Sequence, residues 1–323
     1  MGTNGGPLSH VIRSLMMMNV AKERMTMISA LKHAVPYIKL YKKKTFVIKA
    51  GGEVFTNKES TLRFMEQIGI LQNLGIKTVV IHGGGPQSTA LEKALGLSTK
   101  IVDGRRVTDA DSLAVSIMVL NGQINTQILA CCRDLGIHAV GISGVDCGLI
   151  KAHKRPLVKK GAESIDFGFV GDIDSVDVSV INKQLDSDLV PIISPLSSDE
   201  HGTLLNINAD TVAAAIASQL GAEKLILATG APGILEDVKD PSSLISYIDL
   251  EQLNQMKVTG KLMDGMLPKV AAIENAIKAG VNRVHIISHE LPDSILLEIF
   301  TNEGTGTLVV KDIESLTKEE QKA

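Results

Sequence analysis

Lys49-Ala50-Gly51-Gly52 follows a run of strand-forming residues, and His82-Gly83-Gly84-Gly85-Pro86-Gln87 follows another. Glycine lets the backbone approach a phosphate closely, and the amide N–H groups at a helix start point at such an anion. The lysine that opens the first loop adds a fixed cation. Two loops of this kind early in one domain point to phosphoryl chemistry. Neither a GxxxxGK[ST] run nor a GxGxxG run followed by an acid about 20 residues on is present, which excludes Walker-type and dinucleotide-binding sites. A bare Gly-Gly-Gly run is also an ordinary structural turn, so the loops need company to carry weight.

Three further clusters supply it. Gly104-Arg105-Arg106-Val107-Thr108 sets an arginine just ahead of a helix start. The planar fork of Arg106 suits a carboxylate, although a surface ion pair is an equally ordinary use of it. Asn206-Ile207-Asn208-Ala209-Asp210 places two amides and an acid before an Ala-rich helix, where Asn208 or Asp210 also reads as an N-cap. Asp264-Gly265-Met266-Leu267-Pro268-Lys269 puts a lysine at a helix start. A cation opposes the helix dipole there unless an anion sits nearby, which singles out Lys269.

These residues need a scaffold. From Thr45 the pattern alternates strand and helix, with strands expected at Thr45–Ile48, Thr78–Ile81, His138–Ile142, Leu189–Ile193, Lys224–Leu227, Val284–Ile287 and Leu308–Val310. Helices are expected at Ser60–Leu74, Pro86–Leu95, Asp210–Leu220 and Pro268–Ala279, with Gly75, Gly221 and Gly280 as stops. Thr108 reads as the cap of a long helix reaching Leu135, with Asp111 as its third-position acid. Leu149–Val170 reads as a hairpin excursion. The pattern predicts an α/β fold: an open, mostly parallel sheet sandwiched by helices, with its ligands outside the carboxyl ends of the strands. Lys49, Gly51, Gly52, Gly83–Gly85, Ser143, Ser194 and Thr229 all follow strand ends.

Ahead of the first strand, Met1–Pro7 is Gly-rich and reads as disordered. Leu8, Val11, Ile12, Leu15 and Met16 then repeat at helical spacing, and a second helical stretch, about Met25 to Leu40, carries Met27, Ile28, Leu31 and Val35 before Pro36. This apolar stripe packs either on its own domain or on another subunit, and the second case makes an oligomer.

The 323 residues carry a net charge of −3, with 44% hydrophobic residues and no tryptophan. A chain of this kind reads as a globular domain without the basic or stacking surface that nucleic acid requires. The apolar run Leu15–Ala21, broken by Asn19, is short of the about 20 residues that span a bilayer, so no membrane segment is expected there. Residues 1–22 are basic and lack acids, which leaves an organelle transit peptide open. Of the three cysteines, the adjacent Cys131 and Cys132 read as core thiols, Cys147 stands apart, and no CxxC occurs. A reducing compartment, the cytoplasm, fits that pattern.

Taken in order, KxGG at Lys49, HGGGPQ at His82, GRRVT at Gly104, NGQIN at Asn121, GISGVD at Gly141, NINAD at Asn206, GMLPK at Gly265 and LLEIFTNEGTGT at Leu296 form one run of motifs. In that combination the chain resembles the amino acid kinase family, from about Leu31 to Val310. The resemblance implies an αβα sandwich of two lobes behind an N-terminal helical arm. The arm spans residues 1–44, an acceptor-binding lobe 45–211, a nucleotide-binding lobe 212–312 and a flexible tail 313–323. It implies ATP, with Mg2+ carried on the nucleotide and no protein metal site, and a carboxylate acceptor converted to an acyl phosphate.

By the same resemblance Lys49 and Lys269 face the transferring phosphoryl group and Asp210 orients them. Gly84, Gly85, Arg106 and Asn206 hold the acceptor, and Gly51, Gly52, Thr229, Gly230, Gly233, Gly265 and Met266 lie along the nucleotide. N-acetyl-L-glutamate is the first acceptor to consider, with N-acetylaminoadipate, N-succinylglutamate or an unblocked amino acid sharing the same α-carboxylate. The arm resembles that of arginine-inhibited members, implying a dimer or hexamer, an arginine site at His285 and Glu298, and room for a nitrogen-signalling partner. Three places depart from the family pattern: Gly230 where an aspartate is usual, Glu53 in the first loop, and Ser288-His289-Glu290 after a late strand. A non-catalytic, arginine-sensing oligomer is the alternative that these departures keep open.

Overall fold

The computed structural model describes residues 7–102, 105–160, 163–262, 264–301 and 304–315. The expectations for Met1–Gly6, for Gly104 and for the tail beyond Ser315 lie outside the described residues.

The first described element is one helix, α1 (Pro7–Tyr41), where two stretches were expected; Pro36 lies inside it, as it lay inside the second of them. Strand β1 (Thr45–Ala50) leads through a short 3-10 turn at Gly52–Phe55 into α2 (Lys58–Asn73). Then come β2 (Lys77–His82), α3 (Gly85–Ala94) and the hairpin β3 (Lys100–Val102) with β4 (Arg105–Val107). The long helix that follows is α4 (Ala110–Ile117), a π-helical stretch at Met118–Asn125, and α5 (Thr126–Asp134). Its cap is Asp109, whose side chain accepts the Ser112 N–H; Thr108, the expected cap, is fully buried and paired to Phe167 and Phe169.

Beyond β5 (Ala139–Ser143), the expected hairpin excursion is β6 (Ile150–Lys154) and β9 (Gly171–Val176), with β7 (Val158–Lys160) and β8 (Glu163–Ile165) between them. The chain returns through α6 (Ser179–Asp186), β10 (Val190–Ser194), β11 (Leu196–Ser198) and β12 (Leu204–Asn206) to α7 (Ala209–Gln219) and β13 (Lys224–Thr229). Last come β14 (Tyr247–Asp249), α8 (Leu250–Val258), α9 (Leu267–Lys278), β15 (Val284–Ser288), α10 (Ser294–Phe300) and β16 (Thr307–Val310).

Eight strands share one sheet in the order β14-β16-β15-β13-β1-β2-β10-β5. From β15 to β5 every pairing is parallel, while β16 runs antiparallel to β15 and carries β14 parallel to itself. Side chains alternate between the two faces of a strand. On β1, Val47 packs with Val212, Val270 and Ile273 of α7 and α9. Phe46 and Ile48 pack with Met65, Ile68, Val119 and Ile128 on the other side. The helical run Ala110–Asp134 is long and apolar enough to cross a membrane by length and composition. Its buried residues Val115, Val119, Ile124, Ile128 and Cys132 cover the sheet, as a core helix does.

Among the arm's described side chains, the inward-turned ones lie in its last two turns. Tyr41 packs edge-on to Phe46 at 5.2 Å, and Tyr37 stacks on Tyr41. Met27, Ile28 and Leu31 are 74%, 55% and 62% exposed, so this part of the stripe does not pack on its own domain.

Gly168 holds the base of the Arg106 hairpin in place. Its φ is +71°, and a Cβ there would lie 2.1 Å from the Thr108 carbonyl oxygen. Gly168→Ala combines a left-handed conformation with a backbone clash, and is expected to lower the unfolding free energy by about 1–3 kcal/mol in urea denaturation.

Candidate active site

Lys49 shares its face of β1 with Val47, two residues earlier, so its side chain points toward α7 and α9. There it meets Asp210: Nζ lies 2.8 Å from Oδ1. Asp210 stands in the first turn of α7, which Asn208 caps by accepting the N–H groups of Asp210 and Thr211 at 2.9 and 3.1 Å. Lys269, in the first turn of α9, donates to Asp210 Oδ2 at 3.0 Å, the anion that its position at a helix start requires. The Asp210 side chain is 4% exposed, that of Lys49 7% and that of Lys269 22%. Burial pushes the Asp210 carboxyl upward, but the two ammonium groups outweigh it and hold the pKa below the ordinary carboxylate value. Two cations on one carboxylate leave one net positive charge, suited to an incoming anion.

The glycine loops lie side by side because β1 and β2 are parallel neighbours with Ala50 opposite His82. Gly83 N donates to the Ala50 carbonyl at 2.8 Å, and Gln87 Nε2 to the Gly52 carbonyl at 2.7 Å. The packing leaves no room for side chains: a Cβ on Gly52 would lie 2.9 Å from Gly84 Cα, and one on Gly84 2.7 Å from Leu120 Cδ2 and Ile124 Cδ1. Gly85 faces open space. Gly51 is covered by the carboxylate of Glu53, whose Oε2 lies 2.1 Å from where a Gly51 Cβ would be.

Beside the second glycine loop, Arg106 is no surface pair. Its guanidinium donates to the fully buried Glu92, to Thr89 Oγ1 at 2.6 Å and to the Gly85 carbonyl at 3.2 Å. The hairpin is thereby fastened to α3 beside the second glycine loop. Asn206 Nδ2 donates weakly to Thr108 Oγ1 at 3.4 Å. Nearby, Asn121 from the π-helical stretch accepts from Ser194 Oγ.

On the other side, Thr229 ends β13 and its hydroxyl caps a tight turn over Gly230 and Ala231. Gly230 is exposed, and the His289 N–H is tied to the Thr229 carbonyl at 2.9 Å. This anchors the Ser288-His289-Glu290 departure at the carboxyl end of β15. Gly265 and Met266 lie in the 3-10 turn before α9, Gly265 open and Met266 against the core. Gly233 is a packing glycine: a Cβ there would lie 2.5 Å from Thr307 Oγ1 and 2.7 Å from Leu244 Cδ1. Among the described residues no group of three or more His, Cys, Asp or Glu side chains gathers as a metal site.

His285 and Glu298 come together on the opposite face of the sheet from Lys49. His285 Nδ1 donates to Glu298 Oε1 at 2.6 Å, and its Nε2 lies 2.9 Å from Lys224 Nζ, which sits over the Tyr41 ring of α1 at 5.2 Å. Burial, reinforced by Lys224 and opposed by Glu298, lowers the His285 pKa to about 4. Burial raises the Glu298 carboxyl, but the bonds from His285 and Thr305 outweigh it and bring it to about 2. The ring is a neutral bridge between an ammonium and a carboxylate.

The Amino acid kinase family model matches residues 44–288, the strands and helices that carry both glycine loops and all three members of the buried triad. The chain belongs to the amino acid kinase family. It is 46% identical over 290 residues to an acetylglutamate kinase of Myxococcus xanthus, covering 88% of this chain and 94% of that one. It is 42% identical to an acetylglutamate kinase of Symbiobacterium thermophilum, covering 88% and 97%. Among solved structures it is similar to an N-acetylglutamate synthase of Neisseria gonorrhoeae complexed with coenzyme A and N-acetyl-glutamate. The TM-score is 0.77 at 26% identity, and the match covers 88% of this chain and 63% of that one.

Within this family frame the triad, the glycine loops and Arg106 are the residues that the sequence reading singled out. Glu92, Thr89 and Lys224 were not singled out. Lys224 had a readable signal, a charge opening an otherwise apolar buried strand. Glu92 had none, since an acid late in a helix is ordinary.

Two fully buried histidines make stability depend on pH. His82 and His285 both have native pKa values lowered to about 4, chiefly by burial, against about 6.5 in an unfolded chain. The unfolded state binds more protons between those values, so the stability that the neutral rings contribute is complete above about pH 6.5 and lost as pH falls toward 4. Denaturant titrations across this window are expected to show that loss, with a shallower slope in His285→Gln.

Proposed function

We propose that this chain transfers the terminal phosphoryl group of ATP to the side-chain carboxylate of N-acetyl-L-glutamate, yielding the acyl phosphate and ADP in arginine biosynthesis. The observation that carries this reading is the buried Lys49–Asp210–Lys269 triad beside two glycine loops. The relatives named acetylglutamate kinase, and the N-acetyl-glutamate held by the similar synthase, support the choice of acceptor.

The chemistry needs little beyond this set. The acceptor carboxylate is ionised at neutral pH, so its oxygen attacks the γ-phosphorus without a general base, and the bond to the β-phosphate oxygen breaks in line. Lys49 and Lys269 neutralise the charge that spreads over the phosphoryl oxygens, while Asp210 fixes where both ammonium groups stand. Glycine N–H groups of the two loops hold the equatorial oxygens. Arg106 takes the acceptor's α-carboxylate with Asn206 beside it, over the lobe of residues 45–211. The nucleotide lies over residues 212–312, along Thr229, Gly230, Gly265 and Met266, with Gly51 and Gly52 at its phosphates. Magnesium arrives on the nucleotide, where it keeps waters and needs few protein ligands. The free thiols Cys131, Cys132 and Cys147 suit the cytoplasm.

Trapping the product with hydroxylamine in the presence of MgATP tests the reading. A hydroxamate is expected with N-acetyl-L-glutamate, and Lys49→Ala is expected to reduce its rate by about a thousandfold. A signal only with N-acetylaminoadipate or N-succinylglutamate would move the acceptor. Silence with every acceptor, or an undiminished Lys49→Ala rate, would refute the assignment.

We infer in addition that α1 of one subunit packs on another, as a dimer or hexamer, and that arginine binds at His285 and Glu298. The exposed Met27, Ile28 and Leu31 on the arm, and the buried Lys224–His285–Glu298 relay against its last turn, support this. A chain lacking residues 1–30 is expected to fall to a smaller mass in light scattering and to lose inhibition by arginine. Retention of both would contradict it.

A further inference from the structure

His82 ends β2, and alternation sends its ring to the same face as Val80, the layer formed by α2 and the long interrupted helix. The ring is fully buried and each nitrogen has one partner. Nδ1 lies 3.2 Å from the Gly83 carbonyl oxygen, and Nε2 lies 3.3 Å from Asn125 Nδ2. A carbonyl oxygen only accepts, so Nδ1 carries the proton. Asn125 is oriented independently, because its Nδ2 also donates to the Ile192 carbonyl at 3.1 Å, where Oδ1 has nothing to receive. Asn125 therefore presents an N–H to Nε2, which accepts it. A single neutral tautomer satisfies both ends, and burial keeps the ring neutral down to about pH 4.

Two further features make room for this relay. Asn125 is the last residue of the π-helical stretch Met118–Asn125, whose wider turns displace it relative to a regular helix. Gly141 on β5 leaves the space its side chain fills: a Cβ there would come within 1.9 Å of Asn125 Oδ1.

The consequence lies one bond further on. The peptide joining Gly83 to Gly84 is planar and trans, so its C=O and N–H point in opposite directions. The His82 ring anchors the C=O, which turns the Gly84 N–H away from the buried layer. We propose that His82 and Asn125 are positioning residues whose relay sets the plane of the Gly83–Gly84 peptide and aims the Gly84 N–H at the phosphoryl group in transfer. Neither touches substrate, and the role rests on the phosphoryl-transfer reading above.

Three measurements test it. Long-range 1H–15N spectra of the resting protein are expected to show His82 protonated at Nδ1 and bare at Nε2. In His82→Leu, which keeps bulk and loses both nitrogens, kcat is expected to fall by about ten- to a hundredfold with the KM for ATP unchanged, as when one preorganised donor is misaligned. Asn125→Asp offers Nε2 only an acceptor and draws a proton there, leaving Nδ1 protonated only while the ring is cationic. Its kcat is expected to fall as pH rises through the new His82 pKa, a limb the parent enzyme lacks. A proton on Nε2 in the parent, an unchanged kcat in folded His82→Leu, or an Asn125→Asp profile parallel to the parent overturns the proposal. The tautomer is read without turnover. A correct tautomer in a chain that forms no hydroxamate therefore refutes the reaction assigned above, and a wrong tautomer in an active chain refutes the relay.

Discussion

Asp210 is an ionised carboxylate in a place that water hardly reaches, and such a group persists only with close, well-aimed partners. Its partners come from β1 and α9, so three elements distant in sequence are held to one another by a single side chain. Removing either lysine leaves a buried charge short of compensation, and removing Asp210 leaves two ammonium groups facing each other. The surplus of one positive charge makes the interior edge of the sheet hospitable to phosphate. The glycine loops can approach that spot because Gly52 and Gly84 pack almost backbone to backbone. Charge placement and loop packing are therefore one constraint seen from two sides.

The period of two along a strand divides the sheet's work. On one face Lys49 joins Asp210 and Lys269; on the other, Lys224 and His285 join Glu298 and the end of the arm. His82 belongs to that second face although it adjoins the glycine loop, which is why its ring supports the loop from beneath. A slip of one residue in β1 would move Lys49 to the wrong layer, and one in β2 would do the same to His82.

Much of this was legible before the fold was known, because the signals are local. Strand–helix alternation from Thr45, the glycine stops, and cationic or glycine residues at strand ends follow from short-range periodicity and backbone freedom. What escaped depends on distance or on brevity. The helices Ser179–Asp186 and Ser294–Phe300 are short, and the reversed direction of Thr307–Val310 is decided by pairing with Val284–Ile286. The cap fell on Asp109 instead of Thr108 because Thr108 is used in pairing with the Phe167–Phe169 segment. Glu92 could not be marked as the partner of Arg106, since nothing near it in sequence shows that it is buried. Pro36 falls inside α1 as it fell inside the expected stretch Met25–Leu40: the cost of a proline within a helix is real, and the arm bears it while remaining continuous.

That proline has a mechanical side. Pro36 has no N–H to close the turn before it, so it is the natural place for the arm's axis to bend. Tyr37 and Tyr41 clamp the short segment beyond it to the body of the protein. The long segment ahead of it, from Pro7, reaches about 44 Å at 1.5 Å per residue. At that radius each degree of bend carries the tip about 0.8 Å sideways. The arm is thus a lever with its fulcrum at the domain surface, and a change of a few degrees at one residue displaces its far end by the width of a side chain.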